Sequence, residues 1–322
     1  MPRSTLTLAF VAVALMCGAA LAQKYPTKPI RIVLGFPPGS TPDIVTRILA
    51  EKMAAELGQP VVIENRTGAG GTIASEAVAR ATADGHTLTV SGCSADGIVY
   101  AFVMTNRPPL DPFKDFKPVG RMVRDHWIIS VSPALGVNSV PELIRLGRSN
   151  PGMLTYPSPG EGSSQHLQSE RFRRRACFEA LHVPYKDNFM SDLIAGRTSF
   201  SVQSAAAIAP LIRSDKLKGL AVLSTERMAA LPDVPTSTEV GMADLVYNAG
   251  ICLYAPGGTP FDIVTQLNGA LNNAEQSDTV KKRFAELGVD TVQSSPESAA
   301  TFVRELMELV DGLRITVFGK AR

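Results

Sequence analysis

Short apolar runs rich in β-branched residues alternate with amphipathic stretches along most of the chain. Residues 30–36 (IRIVLGF) form a nearly continuous apolar run, which is typical of a strand buried on both faces. Residues 43–57 carry apolar side chains at helical spacing on one face, and Gly58 ends that predicted helix. The same succession of strand, turn and helix returns through residues 60–90. Such alternation predicts an α/β fold with a parallel sheet covered by helices.

A second series of strands and helices begins near Trp127. Its predicted strands lie at 127–131, 154–156, 181–184, 199–203 and 219–224, and its predicted helices at 140–149, 164–175, 189–195 and 205–213. The chain then returns through a predicted strand at 251–255 to predicted helices at 260–276, 278–287 and 296–312. From this order we expect two lobes joined by two crossing segments. Lobe one would comprise residues 23–124 and 247–322, and lobe two would comprise residues 125–246.

The first 22 residues have the pattern of a secretory signal peptide. Arg3 precedes an apolar run over 6–21, and Ala20-Leu21-Ala22 is a small-x-small cleavage site. The run has about 16 residues against the ~20 that span a bilayer, so cleavage is favoured over the alternative of a membrane anchor. We expect residues 1–22 to be removed and the exported chain to begin at Gln23.

Composition excludes several classes of function. The net charge is +2 over 322 residues and aromatic residues make up 6%, so neither a basic nucleic-acid-binding face nor a base-stacking surface is expected. The four histidines have no metal-ligand spacing and the four cysteines form no CxxC pair, so we predict neither a metal nor a cofactor. Cleavage would remove Cys17, and the wide spacing of Cys93, Cys177 and Cys252 predicts no structural disulfide.

Two Pro/Gly-rich turns each follow a predicted strand and precede a predicted helix, at 36–43 and 157–166. Ligands of open α/β sheets sit beyond the carboxyl ends of strands, where helix starts offer free N–H groups to anions. In the first turn, Gly39 would let a ligand approach the backbone, while Ser40 and Thr41 would donate hydroxyl groups. An ordinary turn in which Ser40 or Thr41 caps the helix explains this segment equally well.

The second turn carries Gly162-Ser163-Ser164-Gln165-His166 at a predicted helix start. A hydrolase would need a nucleophilic serine on a GxSxG elbow, and the turn has none. A loop that binds a ligand through hydroxyl and amide hydrogen bonds is therefore the better functional interpretation.

Eight short segments occur in a characteristic order. They are YPTKPIR at 25–31, FPPGSTPD at 36–43, ENRTGAGG at 64–71, DFKPV at 115–119, GSSQHL at 162–167, HVPYK at 182–186, LPDVPT at 231–236 and APGGTP at 255–260. In order and spacing they resemble the Bug-type solute receptors of tripartite tricarboxylate transporters, over essentially the whole exported chain. The resemblance implies a type II periplasmic binding-protein fold, in which two α/β lobes joined by two crossing segments enclose a ligand cleft.

The resemblance also implies a periplasmic protein without catalytic activity. Its expected partners are a small carboxylate or dicarboxylate ligand and the subunits of a membrane permease, and we expect a monomer. One alternative is a ligand-sensing subunit that docks on a membrane sensor kinase. An exported hydrolase is the other alternative, although the sequence shows no nucleophile motif for it.

Carried over to this sequence, the ligand-binding residues come from both expected lobes. They are Phe36, Gly39, Ser40, Thr41, Asp43, Ser91, Ser163, Ser164, Gln165, Gln203 and Ser204. Asp43 is expected to orient the first turn or hold water rather than to meet an anion directly. The sequence departs from the family pattern at Ser40, at Asp187-Asn188, and at Ser199 and Gln203, so the ligand is expected to differ from that of better-known relatives.

Overall fold

The computed structural model describes residues 25–68, 71–92, 98–104, 110–185 and 189–319. The expected signal peptide, Cys17, Cys93 and Asp187-Asn188 lie outside the described residues. The described strands β1 to β11 are, in chain order, Ile30–Leu34, Val61–Asn65, Thr87–Gly92, Phe116–Asp125, Trp127–Val131, Leu154–Ser158, Ala180–Pro184, Phe200–Ser204, Lys218–Val222, Ala249–Pro256 and Val289–Asp290. The described α-helices α1 to α10 are Thr41–Leu57, Thr72–Ala79, Ile98–Met104, Val140–Ser149, Ser164–Ala176, Met190–Ile194, Ala205–Arg213, Phe261–Gln276, Asp278–Glu286 and Pro296–Phe318.

The described strands pair in three sheets. Six strands form a mixed sheet in the order β11-β4-β10-β3-β1-β2, in which β1 runs parallel to β2 and β3 and the other pairings are antiparallel. A three-stranded sheet, β8-β5-β9, is antiparallel, and β6 pairs with β7 in parallel. The α/β class is confirmed, but the expectation of a parallel sheet is wrong for most pairings. In the six-stranded sheet, β10 returns to the sheet between β3 and β4 and runs antiparallel to both.

The chain passes between the six-stranded and three-stranded sheets twice. The first passage is the β4–β5 junction at Asp125–Trp127, where the His126 carbonyl accepts a hydrogen bond of 2.7 Å from the Ala205 amide. The second is the return from β9 to β10. The described strands of 23–124 and 247–322 form the six-stranded sheet, and those of 125–246 form the other two sheets. The one exception is Asp125, the last residue of β4, which belongs to the six-stranded sheet. The division into two lobes stays a prediction.

The hydrophobic core continues across both series of elements. One cluster packs β1 against α1, through Ile32, Leu34, Leu49 and others. Another cluster joins Trp127 and Tyr156 to the C-terminal helix α10, which packs on β4, α3 and α5. That burial carries α10 past its predicted end at Gly312, because Leu313 is buried in this cluster. Helix α10 therefore connects the two series through apolar contact.

The cysteines differ from expectation. Cys252, buried in the central strand β10, is disulfide-bonded to a partner outside the described residues. Cys177 is exposed and free. The prediction that the chain has no structural disulfide is therefore wrong. Spacing along the chain could not reveal the bond, because sheet pairing brings together residues that are distant in sequence, as Cys252 and Ser91 show across β10 and β3.

The described residues form neither a membrane-spanning helix nor a metal-binding cluster. None of the helices there has the length and apolarity that crossing a bilayer requires. No group of three or more His, Cys, Asp or Glu side chains in the same part of the chain is arranged to hold a metal ion.

Candidate ligand-binding site

A cavity of about 270 Å³ draws its lining from both series of elements. The lining residues are Phe36, Ser40, Thr41, Pro42, Gly92, Asp125, Trp127, Gln165, Ser204, Ala207, Gly250, Ile251 and Val289. Five of the eleven predicted site residues are among them, although they are up to 168 positions apart in the sequence (Phe36 to Ser204). We call this cavity the cleft.

Three helices begin at the cleft. Ser40 is the N-cap of α1 and Thr41 its first residue, Gln165 lies in the first turn of α5, and Ser204 is the N-cap of α7, which also contributes Ala207. The first N–H groups of a helix lack partners within it, and the helix dipole places positive potential at that end. The described lining contains no Lys or Arg. Among the described lining residues, the groups that favour an anion are therefore helix starts, hydroxyl groups and an amide, and the Asp125 carboxylate is the one charged group.

The first turn is held by a buried carboxylate. Asp43 accepts a hydrogen bond of 3.0 Å from the Gly39 amide, others of 3.0 and 3.1 Å from Arg47 Nε, and one of 2.9 Å from Asn65. Burial alone would raise the pKa of Asp43, but these donors hold it at about 2. Asp43 does not line the cleft. Its contacts shape the turn that presents Ser40 and Thr41.

Gly39 adopts the left-handed conformation, with φ of +79°, and a side chain at this position would meet no atom within 4 Å. The turn therefore needs glycine for its backbone conformation and not for lack of space.

The second turn presents one of its three predicted ligand residues to the cleft. Ser163 is the N-cap of α5, and its hydroxyl oxygen accepts a hydrogen bond of 3.4 Å from the His166 amide. Ser164 is fully buried, and its hydroxyl has no hydrogen-bond partner among the described residues. Of the three predicted residues of this turn, only Gln165 lines the cleft. The other two serines are placed to support the turn rather than to line it.

Ser91 and Gln203 also stand behind the lining. The buried Ser91 hydroxyl oxygen accepts a hydrogen bond of 3.0 Å from the Ile98 amide at the start of α3. The buried Gln203 amide donates a bond of 2.8 Å to Ser201. Their chain neighbours Gly92 and Ser204 line the cleft instead. Successive residues of a strand face opposite sides, so a motif can identify the correct segment without identifying the exposed residue.

Asp125 and Trp127, at the β4–β5 passage, line the cleft but were not predicted from the sequence. One carboxylate oxygen of Asp125 accepts a bond of 2.8 Å from the Ser204 hydroxyl, and the other accepts a bond of 3.1 Å from the Trp127 indole. The Trp127 ring meets Tyr247 edge to face, with centroids 5.3 Å apart. In the sequence, Asp125 is a charged residue just before the predicted apolar strand at 127–131. It ends β4, a strand that the apolar pattern did not predict.

A pair of stacked histidines lies against the second turn. The rings of His166 and His182 are 4.0 Å apart, and Tyr156 stacks on His182 at 5.2 Å. Burial, and next the neighbouring His182, lower the pKa of His166 to about 4. His166 is therefore neutral near pH 7, and its Nδ1 accepts a bond of 2.9 Å from the Gly162 amide. This contact fixes the turn that presents Gln165.

A larger cavity, of about 490 Å³, lies wholly within 125–246, between the start of α4, the end of α7, β9 and the loop at 230–235. It contains none of the predicted site residues and draws on one series of elements only. The cleft is therefore the better candidate for a site built from both.

Comparison with known proteins covers most of the chain. The model of the tripartite tricarboxylate transporter family receptor matches residues 45–313. The chain is 34% identical over 298 residues to the protein BugT of Bordetella pertussis, covering 92% of this chain and 91% of that protein.

Solved structures give the same fold. The periplasmic binding protein BugD is similar with a TM-score of 0.77 at 29% identity, over 91% of this chain and 98% of that one. Rpa4515 of R. palustris, solved with adipate, is similar with a TM-score of 0.80 at 31% identity, over 91% and 98%. The predicted periplasmic-binding-protein fold is confirmed.

Proposed function

The chain belongs to the family of tripartite tricarboxylate transporter receptors, and we propose that it captures a small carboxylate in the cleft and delivers it to a membrane permease of that type. The observation that carries this proposal is the convergence of three helix starts on a cavity whose described lining has no Lys or Arg side chain. Such a site binds a carboxylate through backbone N–H groups and neutral donors. The adipate in Rpa4515 supports this class of ligand.

We propose that ligand contacts come from Phe36, Ser40, Thr41, Gln165 and Ser204, which all line the cleft. The other predicted residues have supporting parts. Gly39, Asp43 and Ser163 shape the two turns, while Ser91, Ser164 and Gln203 pack behind the lining.

Residues 23–124 with 247–322, and residues 125–246, are proposed to act as two lobes that close on the ligand. The passages between the sheets, one of them at the β4–β5 junction, would be the hinges. We further propose that cleavage after Ala22 releases a monomeric protein into the periplasm.

The test is a thermal-shift screen of residues 23–322 against malate, adipate, shorter diacids, aromatic acids and amino acids, with calorimetry on each hit. Thr41→Val removes a hydroxyl at the cleft and should weaken binding of the hit about 10-fold, as for a hydrogen bond to a charged group. Thr265→Val is the matched control, because Thr265 is an exposed threonine near the start of α8 and is not among the lining residues. Failure of every carboxylate to raise the melting temperature, or equal affinity in both variants, would count against the proposal.

A further inference from the structure

Asp125 is the one charged side chain among the described residues that line the cleft. We infer that it is a specificity-determining residue. It selects carboxylates that carry a hydrogen-bond donor (an ammonium, an amide NH₂ or a hydroxyl) at a second position, over doubly ionised dicarboxylates of the same length. This inference rests on the proposed function and names the ligand class of the same site.

The position of Asp125 is fixed by its surroundings. It ends β4 at the passage into β5, and its two oxygens accept hydrogen bonds from the Ser204 hydroxyl and the Trp127 indole, at 2.8 and 3.1 Å. Both donors also line the cleft. The carboxylate therefore belongs to a built surface made by two passage residues and the start of α7.

The lining offers a ligand two unlike environments. The helix starts at Thr41 and Gln165 attract an anionic group, whereas Asp125 attracts hydrogen-bond donors and repels anions. Phe36 and Ile251 supply apolar surface for the body of the ligand. A ligand with one carboxylate and one donor group satisfies both environments, and a second carboxylate does not.

The small size of the cleft makes the repulsion effective. A cavity of about 270 Å³ has dimensions comparable to the ~8 Å Debye length at physiological ionic strength, so salt screens charges within it incompletely. Like charges placed close together at a binding site weaken binding, so a second carboxylate near Asp125 should bind less tightly than a hydrogen-bond donor.

Isosteric ligand pairs test the inference directly. Succinate, glutarate and adipate are compared by calorimetry with their monoamides, in which one carboxylate becomes a carboxamide of the same shape, and with the ω-amino acids of matched length. The wild-type protein should bind the best monoamide or amino acid at least about 10-fold more tightly than the matching diacid. Asp125→Asn should remove or reverse that preference.

Two further variants separate charge from structure. Ser204→Ala keeps the Asp125 charge and should retain the preference, even where overall affinity falls. Asp262→Asn removes an exposed carboxylate in the first turn of α8, outside the described cleft lining, and should leave the preference unchanged. Melting curves report whether each variant folds. If Asp125→Asn does not fold, the ratio of the wild-type affinities for the monoamide or amino acid and for the matching diacid tests the inference by itself.

The outcomes distinguish this inference from the proposed function. If wild-type protein binds a diacid as tightly as its monoamide and amino-acid partners, or if Asp125→Asn leaves the ratio unchanged, the inference is wrong while carboxylate binding stands. If no carboxylate, amide or amino acid of the panel binds, the proposed function itself fails.

Discussion

Replacing Asp43 with Asn should destabilise the protein through the turn that precedes α1. The four hydrogen bonds that Asp43 accepts hold its pKa at about 2, against an ordinary value of 3.8, even though burial opposes this. That difference corresponds to about 2 kcal/mol of unfolding free energy at neutral pH. The Asp43 side chain is only 4% exposed but its partner Arg47 is 48% exposed, so solvent screens the ion-pair part and about 2 kcal/mol is the upper value. Asn cannot accept the same set of charge-assisted bonds, and most of that stability should be lost.

The pH dependence has a definite sign. Because the folded protein holds Asp43 ionised at a pH where the unfolded chain has taken up a proton, the stabilisation is complete above about pH 4 and is lost as the pH falls through about 2. The measurement is the urea midpoint of wild type and Asp43→Asn at several pH values. The two curves should lie apart at pH 7 and approach each other at the acid end.

A matched control exists on the second helix. Glu76 and Arg80 form a pair with the same i,i+4 spacing as Asp43 and Arg47, but Arg80 is 80% exposed and Glu76 35%. Exposed pairs of this kind contribute about 0.5 kcal/mol or less, so Glu76→Gln should change stability little. If Asp43→Asn costs no more than Glu76→Gln, the buried network does not stabilise the turn and the reasoning is refuted.

Two other predictions concern the turns at the cleft. Gly39→Val and Gly136→Val should each lower the unfolding free energy by about 1–2 kcal/mol, because both glycines have positive φ and open space around them. Only Gly39→Val should weaken ligand binding in calorimetry. Equal binding by the two variants would place the first turn outside the site. The pKa of His166 is about 4 in the folded protein and 6.5 ordinarily, so the unfolded chain takes up a proton on this residue first as the pH falls. The unfolding free energy should therefore fall by up to about 3 kcal/mol from pH 6.5 to pH 4. His166→Asn should lack that part of the loss in melting-temperature profiles, and parallel profiles for variant and wild type would contradict the assignment.

The apolar pattern predicts most elements of this fold to within a few residues. It misses β4, a ten-residue strand at the centre of the six-stranded sheet's antiparallel half. The segment contains Pro118, Gly120 and Arg121, which together favour a loop. In the structure, the Arg121 guanidinium lies 3.7 Å from the centroid of the Phe302 ring, and burial lowers the pKa of Arg121 to about 10. A helix nearly 200 residues later supplies the aromatic face that lets a strand hold this charge.

The candidate site could also be predicted only in part from the sequence. Turn segments can be found from sequence because Gly, Pro and Ser mark them locally, and both predicted turns contribute to the cleft. Which side chain of a turn reaches the cavity depends on packing, which is why Gln165 lines it while the adjacent Ser164 is buried. The order of predicted elements places the boundary between the expected lobes at residue 125, but it does not show that the Asp125 side chain lines the cleft. That placement follows from how β4 and β5 enter two different sheets.

The supports behind the two turns bear on how a ligand would close the cleft. Asp43 fixes the first turn and neutral His166 fixes the second, each through a backbone amide of the turn itself. Each turn is therefore fixed by contacts within its own part of the chain. A ligand that contacts both Thr41 and Gln165 would connect residues 23–124 to residues 125–246 without having to order either turn first. Asp125 lies at the passage between those segments and also lines the cleft. A donor group on the ligand would therefore be recognised at the hinge itself, so the same contact would decide both which carboxylate binds and whether the proposed lobes stay closed.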